Sequence, residues 1–166
     1  MDEEKLAVVR RYNRNIEISG AAIIGYGIWT SLKFFFPMLL GTAKIADVLE
    51  IPPDEAELYA GVVIASTVIV LGLAFLLHYL LGRAAIKFAR GTKKSSFFVY
   101  WAVLLLLLNI ASLFAYPETI RNIKKFSDVD TVVATLMVDI TLIFILFDLI
   151  VSTYRLKKLR KQESAL

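Results

Sequence analysis

Four apolar runs, each about as long as a membrane span and each bounded by charged residues, constrain this chain more than any motif does. They fall at Ile18–Leu40, Leu58–Leu81, Phe97–Tyr116 and Val132–Tyr154. Crossing ~30 Å of hydrocarbon takes about 20 residues of helix. Unpaired backbone groups are so costly in lipid that only helices and closed barrels span it, and four spans are too few to close a barrel. The expected fold is therefore all-α, an integral membrane four-helix bundle. Hydrophobic residues make up 58% of the chain, above the roughly 45–50% of soluble domains. With four spans in 166 residues there is no room for a sizeable soluble domain, so residues 1–166 read as a single membrane domain.

The flanks orient the bundle. Lys5, Arg10, Arg11 and Arg14 precede the first span; Arg83, Lys87, Arg90, Lys93 and Lys94 fill the loop 82–96; Arg155, Lys157, Lys158, Arg160 and Lys161 fill the tail 155–166. The other two loops, 41–57 and 117–131, carry Lys44, Arg121, Lys124 and Lys125 but also most of the acids, including Asp47, Glu50, Asp54, Glu55, Glu57, Glu118, Asp128 and Asp130. By the positive-inside rule both termini are cytoplasmic, which places a multi-pass protein in a cell membrane. Aromatic belts agree, with Tyr59 and Tyr116 at the outer boundary and Tyr79, Tyr100, Trp101 and Tyr154 at the inner one.

Net charge of +4 then follows from topology. The basic segments are short and lie against the bilayer, so anionic lipid of the cytoplasmic leaflet is the expected partner and nucleic acid is not. The start, "MDEEKLAVVRRYNRN", is acidic first, and the apolar run behind it is too long for a signal-peptide core, so the first span is expected to be retained as an anchor. The chain has no cysteine, which excludes disulfides, thiolate metal sites and cysteine nucleophiles. A lone histidine, His78, excludes paired haem ligands and HExxH zinc sites. No metal or cofactor is expected.

Helix ends follow from local chemistry. Pro53 suits a first turn, with Asp54, Glu55 and Glu57 at the positive end of the helix dipole. Ser95 or Ser96 is an expected cap for the third span, and Ser127, Asp128 or Asp130 for the fourth. Gly61 with Ala65, and Ala21 with Gly25, have the small-xxx-small spacing that permits close helix contact.

Ionisable and amide groups inside the spans are where function is expected, because they are costly there. They are Lys33, His78, Asn109, Asp139 and Asp148. Lys33, Asn109 and Asp139 each lie seven residues, about 10 Å of helix rise, below the expected outer boundary. Ser66 and Thr67 reach a similar level on the second span, so each helix offers a polar group to one outer layer. Pro37 lacks an N–H for the carbonyl of Lys33 and is an expected kink. Lys33 is expected either to pair with Asp139 or to snorkel to the headgroups. Asp139 is too short to snorkel and requires protonation, water or a partner.

Asp148 comes nine residues after Asp139, a rotation of ~180°, so the two carboxyls face opposite ways. Asp148 shares its face with Thr141 and Ser152, and Asp139 with Thr135. His78 is expected at the inner interface beside Tyr79 or against Asp148, and Asp148 in an assembly contact with another copy or another membrane subunit. No paired acids on one helix face, metal cluster or nucleophile with a base is present, so an enzyme is not expected. Two functions remain: an oligomeric channel- or transport-like protein using the polar layer, or a non-catalytic accessory subunit whose buried charges serve helix–helix assembly.

Overall fold

The computed structural model describes residues 3–39, 53–93, 95–114, 116–121 and 126–163. It is helical throughout, with no strand among the described residues. Three helices are long: α1 (Glu3–Leu39), α2 (Pro53–Ala89) and α5 (Phe126–Glu163). Between them lie α3 (Phe98–Leu113) and the short α4 (Tyr116–Arg121).

The long helices outrun the apolar segments. At ~1.5 Å per residue, a helix of 37 residues reaches about 55 Å, so the charged arm before Ile18 is part of α1. The basic tail continues α5 as far as Glu163, and half of the basic loop continues α2 as far as Ala89. What stops α2 is Gly91, whose φ of 75° is left-handed and suits a residue with no Cβ. Its N–H donates to Phe88 O at 3.1 Å, and the Thr92 N–H donates to Lys87 O at 3.0 Å. These two bonds form a Schellman cap and satisfy carbonyls that the helix end would leave open.

α3 is shorter than expected. Its N-cap is Phe97, in α conformation and without a side-chain cap bond. Ser95 acts one step earlier, its Oγ accepting the Phe97 N–H at 3.3 Å, so it shapes the approach and does not cap the helix. The far end closes at Leu113, where the Phe114 N–H turns back to Ala111 O at 3.1 Å. Pro117 explains the break, because it has no N–H to give to the carbonyl of Leu113 four residues back, while a proline fits the first turn of a new helix. α5 opens at Phe126, so Ser127, Asp128 and Asp130 lie within its first turns instead of ahead of it. The loop residues 40–52 lie outside the described residues.

Two stretches are long and apolar enough to cross a membrane: Ala65–Ala89, with mean hydropathy 2.0, and Val132–Gln162, with 2.4. Only 17% of each window is buried within the chain. The core helix of a soluble protein would be mostly covered.

The chain divides into two compact units, Met1–Ile23 with Leu81–Leu166, and Ile24–Leu80. The first has a core drawn from α1 (Ile16, Ile23), α2 (Leu81, Ala85, Phe88), α3 (Phe98, Ala102) and α5 (Leu142, Leu146, Leu149, Leu156). On α5 the buried residues advance by four, three, four and three through Thr153, a heptad seam that keeps one face inward. Phe88 and Phe98 meet with ring centroids 5.5 Å apart and planes at 60°, a favourable tilted geometry. Close approach of α1 to α2 depends on Gly20: a Cβ there would lie 2.8 Å from the Gly82 carbonyl oxygen and 3.2 Å from Ala85 Cβ.

The second unit contains the rest of α1 and α2. Its tight point is Gly27, where an added Cβ would lie 2.8 Å from His78 Cβ. Beyond it the two helices leave an apolar groove of about 440 Å³, lined by residues including Ile28, Leu32, Phe35, Leu71 and Phe75. The glycines at which close contact was expected, Gly25 and Gly61, have nothing within 4 Å of an added Cβ. Small residues four apart permit approach, but which glycine is used depends on where the helix axes cross.

Candidate functional site

In the first unit the Asp148 carboxylate joins α5 to α1. Ser19 Oγ donates to Asp148 Oδ2 at 3.1 Å, and Ser152 Oγ donates to Oδ1 at 3.3 Å. Ser19 is 5% exposed and Ser152 1%, so both hydroxyls are removed from solvent and each carboxylate oxygen receives one donor. The arrangement follows from local geometry. Ser152 stands one turn after Asp148 on the same face, and Ser19 precedes Gly20, where α1 can approach its neighbours closely. Thr141, expected on this face, is exposed and donates to Met137 O at 2.7 Å in its own helix.

Asp139, nine residues earlier on α5, is served by a different element. Tyr116 at the start of α4 donates its hydroxyl to Asp139 Oδ2. Asn109 turns its amide back along α3, Nδ2 donating to Leu105 O at 2.9 Å. These two members of the expected outer layer belong to the first unit. Lys33, Ser66 and Thr67 belong to the second, where Lys33 and Ser66 are exposed and Thr67 is half-buried. α1 remains helical past Pro37 to Leu39, so the carbonyl of Lys33 receives no N–H from position 37.

His78 is buried, 9% exposed. Gly27 makes the room, and the Tyr26 ring stands with its centroid 5.3 Å from the imidazole. Nδ1 lies 2.7 Å from Ala74 O, which assigns the proton to Nδ1 because a carbonyl only accepts. Nε2 is buried and has no hydrogen-bond partner. Among the described residues no group of three or more His, Asp or Glu could hold a metal ion.

Several contributors escaped the reading of sequence. Ser19 looked like one more small residue of a span, and its signal is the neighbouring Gly20. Tyr116 read as an aromatic anchor, although its hydroxyl is a donor that a buried carboxylate can use. Tyr12 and Asn13 gave no signal at all; they hold Arg155 and Arg160, with bonds of 3.1 and 3.2 Å. No protein-family model, curated protein or solved structure matches the chain.

Proposed function

We propose that this chain is a small multi-pass membrane protein, with four spans and both termini cytoplasmic, that works as an oligomer in a channel- or transport-like role. The observation that carries the proposal is Asp148: a carboxylate within an apolar stretch of α5, held by the two hydroxyls of Ser19 and Ser152. A carboxylate held by neutral donors keeps its charge available to a proton or a small cation. Ionisable groups are retained in spans chiefly where they mark such a path. Asp139, held by the Tyr116 hydroxyl, offers a second carboxylate on the opposite face of the same helix.

The test is flux in proteoliposomes containing the purified protein, read with a pH-sensitive dye and with Na⁺ and K⁺ indicators. Flux above protein-free vesicles that is lost in Asp148→Asn supports the role. Flux equal to protein-free vesicles for all three ions, or unchanged in Asp148→Asn, refutes it.

A second reading, an accessory subunit of a membrane complex, is favoured by one further feature of α5. Met137, Ile140, Phe144 and Phe147 are all exposed and advance by three, four and three residues, with Tyr154 seven beyond Phe147. This is a second heptad seam, ~180° from the buried one. Stoichiometric co-purification of one foreign membrane protein, lost when Phe144 and Phe147 are replaced by alanine, would select this reading; a homo-oligomer dissolved by the same change supports the first.

A further inference from the structure

A serine or threonine inside a helix has an acceptor in its own backbone, the carbonyl four residues back. Thr30, Ser31, Thr141 and Thr153 all use it, at 3.0, 3.0, 2.7 and 2.7 Å. Ser19 and Ser152 donate instead to the Asp148 carboxylate, at 3.1 and 3.3 Å. For Ser152 the unused carbonyl is that of Asp148 itself, and for Ser19 it is that of Asn15. Each serine therefore has two acceptors to choose from, and its hydroxyl hydrogen turns about the C–O bond to suit either.

The choice matters because a carboxyl group changes its hydrogen bonding when it takes a proton. Ionised, it only accepts, and both hydroxyls donate to it. Protonated, one oxygen becomes a donor while the other still accepts. The new O–H finds its acceptor in the serine oxygen already beside it; that hydroxyl turns to its back-carbonyl and the other stays. Neither state leaves a buried polar group without a partner, which would otherwise be the main cost of moving a proton in an apolar site. A metal ion fits less well. Calcium takes roughly six to eight oxygens and magnesium an octahedral set, whereas this contact offers two carboxylate oxygens and two hydroxyls spaced as hydrogen-bonded pairs. The charged residues flanking the contact are Glu17 on α1, Arg83 and Lys87 on α2, and Arg155 on α5. Glu17 is held by Arg90 and Arg155 by Tyr12, and among the described residues none of them forms an ion pair with Asp148. Asp148 itself is half-buried, less covered than either serine, which leaves the carboxyl a side open to exchange.

We infer that Ser19, Asp148 and Ser152 form a proton-exchange site, in which Asp148 carries the proton and one serine hydroxyl reverses from donor to acceptor each time it does. A proton joins one carboxylate oxygen, forming an O–H bond and a neutral acid, and the same bond breaks on release. In naming the carried ion, this rests on the transport-like role proposed above; the exchange itself does not.

Two measurements on the full chain test the site. In detergent, infrared difference spectra between acid and neutral pH should contain the carbonyl band of a protonated acid that is absent from Asp148→Asn. In Ser19→Ala with Ser152→Ala that band should move to higher frequency, because both hydrogen-bond partners of the acid are gone. Should the pair not fold, as read by circular dichroism, each single alanine variant carries the same expectation. A band unmoved in these variants, or no band assignable to Asp148, overturns the site. In proteoliposomes the pH-sensitive dye should report flux that is lost in Asp148→Asn and lowered about tenfold in the alanine pair, as expected when one of the two states lacks a hydrogen bond. Sodium or potassium flux that depends on Asp148 without proton flux overturns the proton as cargo and keeps the transport role. Flux of no ion refutes the transport role, and the infrared result alone then decides the exchange.

Discussion

Replacing Gly20 by alanine tests the packing that brings Ser19 to Asp148. An alanine Cβ at position 20 would lie 2.8 Å from the Gly82 carbonyl oxygen, 3.0 Å from Ile86 Cγ1 and 3.2 Å from Ala85 Cβ. Only Ile86 Cγ1 belongs to a side chain that can turn; the Gly82 oxygen is backbone and the Ala85 Cβ is fixed to its backbone, so α1 or α2 must move. Forcing a methyl into a packed contact costs about 1–3 kcal/mol. In isolation that number is blurred, because alanine is a better helix former than glycine by about 1 kcal/mol. Gly25→Ala removes the ambiguity: it lies five residues on in the same helix and has nothing within 4 Å of an added Cβ. The propensity gain is common to both variants, so their difference isolates the contact. Gly20→Ala should be less stable than Gly25→Ala by about 1–3 kcal/mol, seen as roughly 2–12 °C in apparent Tm for a chain of this size. The assay is thermal unfolding of the detergent-solubilised protein by tryptophan fluorescence, with Gly25→Ala at or slightly above wild type. Equal Tm values for the two variants would refute the close approach of α1 and α2 at Gly20, and with it the geometry assigned to Ser19.

Asp148→Leu should strip two buried hydroxyls of their acceptor and lower stability by about 2–4 kcal/mol, whereas Asp148→Asn, which keeps an acceptor, should lose much less; a change in oligomeric size at unchanged Tm would place Asp148 at a subunit contact instead. Tyr116→Phe should cost about 1.5–3 kcal/mol by removing a hydrogen bond to a carboxylate, and combining it with Asp139→Leu should be clearly non-additive in a double-mutant cycle; additive losses would separate the two residues. Because the native chain has no cysteine, single cysteines at Thr92, Ser95 and Ser164 should be shielded from an impermeant thiol reagent in intact cells while those at Thr42 and Ser127 are labelled, and labelling at Ser95 without permeabilisation would reverse the proposed topology.

What is local could be read from residue order alone. Apolar runs set the helical class, since in each run the same residues that avoid water also lack competing turn chemistry. Spacing put Ser152 on the Asp148 face and set Asp139 on the opposite one, because 3.6 residues per turn fixes angular position once a helix exists. Helix ends were less legible. The arm before Ile18 and the tail after Tyr154 are polar, so hydropathy stopped there, while the helices of α1 and α5 continue. Polarity limits a span, but backbone hydrogen bonding and not polarity limits a helix.

Tertiary structure alone decided the contacts. Gly20 and Gly27 are tight where Gly25 and Gly61 are open, a choice made by where the helices within each unit approach, which no single helix encodes. Ser19 meets Asp148 across 129 positions of chain and Tyr12 meets Arg155 across 143. A hydroxyl is a weak signal in sequence because it tolerates its own backbone carbonyl equally well, as Thr30 and Ser31 show by bonding to Tyr26 O and Gly27 O. Whether a serine serves its own helix or a distant carboxylate is settled only when another helix comes within hydrogen-bond reach, about 3 Å.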